Sequence, residues 1–217
     1  MAEKFPKVAQ FTTVDAFRNY LKQENIRIGL ADSVPSDGSA ALAQKIECCG
    51  RTLGNRWSIL PMEGWDCEDN GVPSELTRRR WLRFATSGAK LLYGTEAAAV
   101  MHSGRSNPQQ LMIADHTAES LKTILAEMRA AHKAKFGNAD DLMIGLQLTH
   151  SGRYSHPNRP DRLEARTAYA HPLLDRKFSC GPENVVSDAD VEDIVRHFVH
   201  AAEIARNAGF DFVDIKS

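Results

Sequence analysis

Two side chains combine a reactive type with a place where a strand would present it. Lys216 ends the apolar run Phe210-Asp211-Phe212-Val213-Asp214-Ile215. A primary amine there can attack a carbonyl to form a Schiff base, or extend its stem and snorkel into solvent. Gln147 lies near the end of the run Leu142-Met143-Ile144-Gly145-Leu146-Gln147-Leu148. Its amide carries one acceptor and one donor group, which can read a ligand edge or tie the strand end to a loop. His150 and Arg153 follow closely and read as residues that pin that loop. His197 and His200 sit three apart on a helical pattern, a spacing that can bring both to one metal ion. No carboxylate or thiol has an evident reason to join them, so they read as solvated and no metal is expected. Cys48, Cys49, Cys67 and Cys180 contain no C-x-x-C pair, and no disulfide framework is expected without a secretory signal.

Charge excludes one class of partner. Lys and Arg number 27 against 28 Asp and Glu, which leaves no cationic excess to displace counterions from nucleic acid. The basic run Arg78-Arg79-Arg80 falls inside a helical pattern and reads as a solvated face. No stretch approaches the ~20 apolar residues that cross a membrane. The start, Met1-Ala2-Glu3-Lys4-Phe5-Pro6, lacks the apolar core of a leader peptide. A cytoplasmic protein is the expectation.

The elements that must position these residues follow from periodicity. Residues 1–44 read as an extension and linker: Thr13 caps a helix through Leu21 with Val14, Phe17 and Leu21 on one face, and a turn-rich run follows over 31–39. From about Asn55 short apolar runs alternate with amphipathic helices. Trp57-Ser58-Ile59-Leu60 is a strand stopped by Pro61. Ser74 opens a helix through about Ser87 that turns Leu76, Trp81, Phe84 and Ala85 to a core. Lys90-Leu91-Leu92-Tyr93-Gly94 is a second strand. Thr117 opens a helix with Leu121, Ile124, Leu125 and Met128 inward and His132, Lys133 and Lys135 in its last turns, where the dipole favours cations. The run 142–148 is a third strand. Ser187 and Asp190 form a capping box for a helix lined by Val191, Ile194, Val195, Phe198, Ala202 and Ala205, and the fourth strand follows Gly209. Strands that are nearly continuous apolar runs are buried on both faces, the mark of a parallel sheet covered by helices. An open doubly wound sheet and a (β/α)8 barrel both satisfy this pattern. The lack of G-x-G-x-x-G after any strand counts against a dinucleotide-binding open sheet.

Four motifs in order then carry a resemblance. Asn55-Arg56-Trp57-Ser58-Ile59-Leu60-Pro61-Met62 resembles the N-R-x-x-x-x-P-M first strand of the old yellow enzyme family of FMN-dependent NADH:flavin oxidoreductases. Glu96-Ala97-Ala98-Ala99-Val100 followed by Gly104-Arg105 is similar to its E-A-x-A-V second strand with a nearby G-R. Gln147-Leu148-Thr149-His150-Ser151-Gly152-Arg153 resembles its Q-L-x-H-x-G-R, and Ala208 to Ile215 resembles its A-G-F-D-x-V-E-I. The resemblance covers residues 45–217 and implies a TIM barrel of which this chain supplies about the first four βα units.

The same resemblance implies FMN at the carboxyl ends of the strands, beside Leu60, Pro61, Met62 and Glu63. Small Ala97 avoids the ring, Gln147 pairs with its pyrimidine edge, and Lys216 is both a cofactor neighbour and the catalytic group that polarises an acceptor carbonyl. It implies an ene-reductase type of oxidoreductase that takes hydride from NAD(P)H and delivers it to an activated alkene. Two residues depart from the family pattern. Glu63 replaces a Cys or Thr, and a carboxylate there disfavours an anionic reduced ring unless it is paired. Lys216 replaces the first residue of an H-x-x-H or H-x-x-N pair. These departures keep two alternatives open: a degenerate barrel that binds without catalysis, and a Schiff-base enzyme using Lys216. Because the family's later strands lie beyond Ser217, the chain reads as an N-terminal half, with open strand edges that favour a homo-oligomer.

Overall fold

The computed structural model describes residues 5–216; the first four residues of the segment read for a leader, and Ser217, lie outside the described part. Two compact units divide the chain, Met1–Ala40 and Ala41–Ser217. In the first, α1 (Val14–Gln23) starts where Thr13 Oγ1 accepts from the Ala16 amide at 3.1 Å. Leu21 is buried and Phe17 meets Phe11 ring to ring at 5.2 Å, but Val14 is exposed, so the apolar face is narrower than the spacing implied. Among the described residues no helix is long and apolar enough to cross a membrane.

The second unit opens with an antiparallel hairpin, β1 (Ile46–Cys48) and β2 (Arg51–Leu53), which the sequence reading lacks. Its turn residues Cys49 and Gly50 both have positive φ, at 50° and 74°, as a type I′ turn requires. Arg51 ties the hairpin to the larger sheet, donating to Leu142 O at 3.1 Å and pairing with Asp211 at 2.5 Å.

A parallel, curled sheet follows. Its strands are β3 (Ser58–Ile59), β4 (Leu91–Leu92), β5 (Ala97–Ala99), β6 (Met143–Thr149) and β7 (Phe212–Lys216). β4 and β5 are two pieces of one rung that runs along β6; between them the Thr95 amide still donates to Gly145 O at 3.1 Å. β7 pairs with the other side of β6 from Gly145↔Phe212 to Thr149↔Lys216. All four apolar runs expected to be strands are therefore present in chain order, side by side. The helices α2 (Glu75–Ala85), α3 (Ala118–Phe136) and α5 (Asp188–Ala208) cover this sheet with a core that includes Trp81, Leu92, Leu121, Ile144, Leu146 and Leu148. The short α4 (Pro172–Phe178), opened by His171 and Pro172, lies between β6 and α5 in the chain.

The helix starts and stops agree with the sequence: Ser74 and Ser187 cap α2 and α5, and Gly137 and Gly209 close α3 and α5. Three inward faces differ. On α2 the buried row is Thr77, Trp81 and Ala85, spaced by four, so Leu76 is exposed. On α5 the buried residues are Ala201, Ile204 and Ala205, whereas Val191 and Val195 are exposed. On α3 His132 is fully buried rather than a solvated cation. Its Nδ1–H donates to Ala85 O at 2.7 Å while Nε2 accepts from Lys90 Nζ at 2.9 Å. This uses both ring nitrogens of the neutral imidazole. Burial, assisted by the Lys90 charge, holds its pKa below the ordinary value.

The basic run is also more than a solvated face. Glu96, between β4 and β5, has no exposed surface. Arg80 Nη2 reaches Glu96 Oε2 at 2.6 Å and Asp66 Oδ1 at 2.8 Å, and its Nε reaches Asp66 Oδ2 at 3.0 Å. Trp81 Nε1 adds a 3.4 Å bond to Glu96 Oε2, and the Gly64 amide donates to Oε1 at 2.6 Å. Burial pushes the Glu96 carboxyl up while Arg80 pulls it down, and burial prevails. Asp66 stays below the usual carboxylate range, because Arg80 and Thr77 outweigh its desolvation.

Arg80→Met should leave Glu96 buried without its cation and destabilise the protein by about 3–5 kcal/mol in urea unfolding. A loss below about 1 kcal/mol, the worth of an exposed pair, would show the cluster to be solvated. His132 has a lowered folded pKa, so its stabilising contribution is complete above its ordinary value of 6.5 and is lost as pH falls below it. Stability should therefore fall on acidification from neutral pH with a slope of up to about 1.4 kcal/mol per pH unit from this one proton. His132→Gln should flatten that part of the profile; identical slopes would exclude His132 as the source.

Candidate functional site

The carboxyl ends of β5, β6 and β7 form two rows of register partners on one face of the sheet. Ala97, Gln147 and Asp214 are register partners on the first, and Ala99, Thr149 and Lys216 on the second. Side chains two residues apart on a strand share a face, so Gln147 and Lys216 belong to the same surface. The segment after β3 joins them: the Ala97 amide donates to Met62 O at 3.3 Å, and Tyr93 N to Ile59 O at 2.9 Å. Gly94 makes this convergence possible. A Cβ there would come within 2.7 Å of Pro61 Cβ and 3.2 Å of Gln147 Cβ, closer than ordinary packing allows. Leu60, Pro61, Met62, Glu63, Ala97, Gln147 and Lys216 are thus gathered at one end of the sheet. Leu60 and Met62 leave apolar surface open there, at 68% and 70% exposure, while Ala97 is buried.

The polar groups at this end of the sheet are already ordered. Gln147 Nε2 donates to Asp214 Oδ2 at 2.6 Å, and Asp214 Oδ1 accepts from the Tyr93 hydroxyl at 3.4 Å. This fixes which end of the amide faces Asp214, so the carbonyl and the second N–H are the groups that can meet a ligand. Glu63 is paired rather than bare. Lys216 Nζ reaches its Oε1 at 2.9 Å, and the Ser106 hydroxyl donates to Oε2. Ser106 Oγ also accepts from Trp65 Nε1 at 2.9 Å.

The loop after β5 holds Ser106 in place through Arg105 and Gln110. Arg105 is fully buried and spends its donors on backbone carbonyls, among them Asp69 O at 2.6 Å and Gln110 O at 2.9 Å. Gln110 accepts from Ser106 N at 2.6 Å and donates to Ala97 O at 2.8 Å. His150 and Arg153 pin the next loop. His150 Nδ1 accepts from Gly152 N at 3.1 Å, and Arg153 pairs with Asp175 and donates to Tyr169 O at 3.2 Å.

His197 and His200 turn to separate partners, Asp193 O at 2.9 Å and Asp115 Oδ1 at 2.8 Å. Cys67 is buried, and desolvation pushes its thiol up to about 12. Cys48, Cys49 and Cys180 are free thiols outside the mouth's hydrogen-bond network. Asp214, Tyr93, Ser106 and Trp65 are the residues that sequence reasoning missed. Asp214 was available from its place two residues before Lys216 on an alternating strand. Ser106 lies 43 residues from Glu63, and no local pattern announces that contact.

Comparison with known proteins shows the family to which the chain belongs. The family model of the NADH:flavin oxidoreductase / NADH oxidase family matches residues 42–217. The chain is 31% identical over 173 residues to an NADPH dehydrogenase of Geobacillus sp., covering 76% of this chain and 44% of that protein. It is 30% identical over 166 residues to an NADPH dehydrogenase of Listeria welshimeri, again covering 76% and 44%. Among solved structures it is similar to Old Yellow Enzyme from Pichia sp., with a TM-score of 0.58 at 19% identity over 82% of this chain and 46% of the other. A 2-naphthoyl-CoA reductase matches with a TM-score of 0.61 at 15% identity, over 81% and 27%. The chain spans less than half the length of these relatives. The match spans the parallel sheet and the helices that cover it, and the chain belongs to the NADH:flavin oxidoreductase / NADH oxidase family.

Proposed function

We propose that the four parallel rungs form part of an eight-stranded TIM barrel whose mouth binds FMN. In this reading the protein is an NAD(P)H-dependent oxidoreductase of the ene-reductase type. The observation that carries the reading is the convergence of the 60–63 segment, Ala97 and Gln147 around Gly94, in the register of one sheet face.

The residues present fit a flat heteroaromatic ring. Leu60 and Met62 offer open apolar surface, Ala97 adds no bulk beyond Cβ, and Gln147 presents an acceptor and a donor held by Asp214. Leu60, Pro61, Met62, Glu63, Ala97, Gln147 and Lys216 would hold the cofactor. When bound, FMN supplies the two-electron carrier between NAD(P)H and the acceptor. Gln147 orients the ring edge, the 60–63 backbone lines the mouth, and Lys216 directs N–H donors at an oxygen that gains negative charge during reduction of a conjugated carbonyl. The pairing of Glu63 removes the objection to a carboxylate near an electron-rich ring.

Gln147→Ala deletes up to two ligand hydrogen bonds worth ~0.5–1.5 kcal/mol each, so FMN affinity in the intact protein should fall about tenfold or more. Fluorescence titration measures it, and unchanged affinity would remove Gln147 from the ring. At saturating FMN, Lys216→Ala should slow the half-reaction with an enone and spare the half-reaction with NAD(P)H, each followed by flavin absorbance. Equal loss in both, or in neither, would contradict the acceptor role.

A further inference from the structure

Glu63 and Lys216 are separated by 153 residues and stand after the first and at the end of the fourth rung, which do not pair with each other in the sheet. Their contact at 2.9 Å crosses the mouth from one edge of the sheet to the other. The two partners are unequal. The Glu63 side chain is 18% exposed and the Lys216 side chain 50%. Glu63 is held at both oxygens, by Lys216 on Oε1 and by Ser106 on Oε2, and Ser106 is itself fixed by Trp65 and by its own backbone bond to Gln110. The carboxylate is therefore the anchored member, and the lysine, on a flexible four-carbon stem, is the member that needs an anchor.

We propose that Glu63 is a positioning residue for Lys216, and that the two act as one electroneutral unit whose lysine keeps two N–H donors for the ligand. Deleting the lysine alone then does more harm than deleting the pair. Without Lys216, Glu63 keeps a mostly buried negative charge beside a site whose ligand edge is rich in acceptor oxygens and nitrogens. With both charges removed, that repulsion disappears. A lysine that merely snorkels to solvent would show no such dependence on Glu63. The ligand part of the proposal rests on the flavin reading above; the pairing does not.

Four versions of the intact protein test it: wild type, E63Q, K216M and E63Q/K216M. Reaction of Lys216 with a small acetylating reagent, followed by peptide mass spectrometry, needs no flavin. Release of the ion pair in E63Q should speed that labelling by about threefold, the factor expected for a partly exposed pair. FMN titration by fluorescence quenching should show K216M binding about tenfold more weakly than wild type, a 1.4 kcal/mol effect, with E63Q/K216M recovering most of it. Equal labelling of Lys216 in wild type and E63Q would overturn the positioning role. A double variant that binds FMN no better than K216M would overturn the electroneutral unit. A wild-type protein that does not quench FMN at all would refute the flavin reading, and the labelling rates would still decide the pair.

Discussion

The carboxylate of Glu96 has no contact with water, and its burial dictates much of what surrounds it. A charge in that position must be met by a cation and by hydrogen bonds, or it costs more than the fold can bear. Arg80 from α2 brings the cation, Trp81 one indole N–H, and the Gly64 amide the remaining bond. The partners come from two stretches of chain, α2 and the segment after β3, so satisfying one carboxylate fixes the outer helix, the break between β4 and β5, and that segment relative to one another. That segment carries Leu60, Pro61, Met62 and Glu63, so neutralising Glu96 also places these four candidate site residues.

The mouth itself follows the same logic at lower burial. Asp214 accepts a hydrogen bond from the Gln147 amide, Glu63 accepts one from the Lys216 ammonium, and Ser106 joins Glu63 to Trp65. Asp214 and Glu63 are thereby both partnered, and the groups left open at this end of the sheet are the rest of the Gln147 amide, the remaining Lys216 N–H bonds and the apolar faces of Leu60 and Met62. A surface of that kind suits a flat, weakly polar ring with hydrogen-bonding along one edge. Glu63 and Lys216 are partners in an ion pair, so neither leaves an uncompensated charge at this end of the sheet.

His132 and Arg105 show how burial changes what a basic side chain does. His132 sits in the last turns of a helix, where exposure would favour the cation, yet its two nitrogens are committed to Ala85 O and Lys90 and the ring stays neutral. Arg105 is buried among carbonyl oxygens, and desolvation lowers its pKa. Its guanidinium serves as a multi-donor clamp that shapes the loop after β5.

Much of the fold was legible in the chain itself. Nearly continuous apolar runs and amphipathic stretches of helical period report burial directly, and Ser74, Ser187, Gly137 and Gly209 mark helix ends through local backbone chemistry. Motif order also gathered the seven candidate site residues onto one end of the sheet. Tertiary packing decided the rest, because it depends on contacts that no local pattern encodes. It selected Thr77 over Leu76 for the core, turned Arg80 from a solvated charge into the counter-ion of Glu96, and left Val191 and Val195 exposed on a helix that packs through Ala201 and Ala205. It also brought Glu63 to Lys216 across 153 residues, since only the curl of a parallel sheet carries its first rung's end to its fourth.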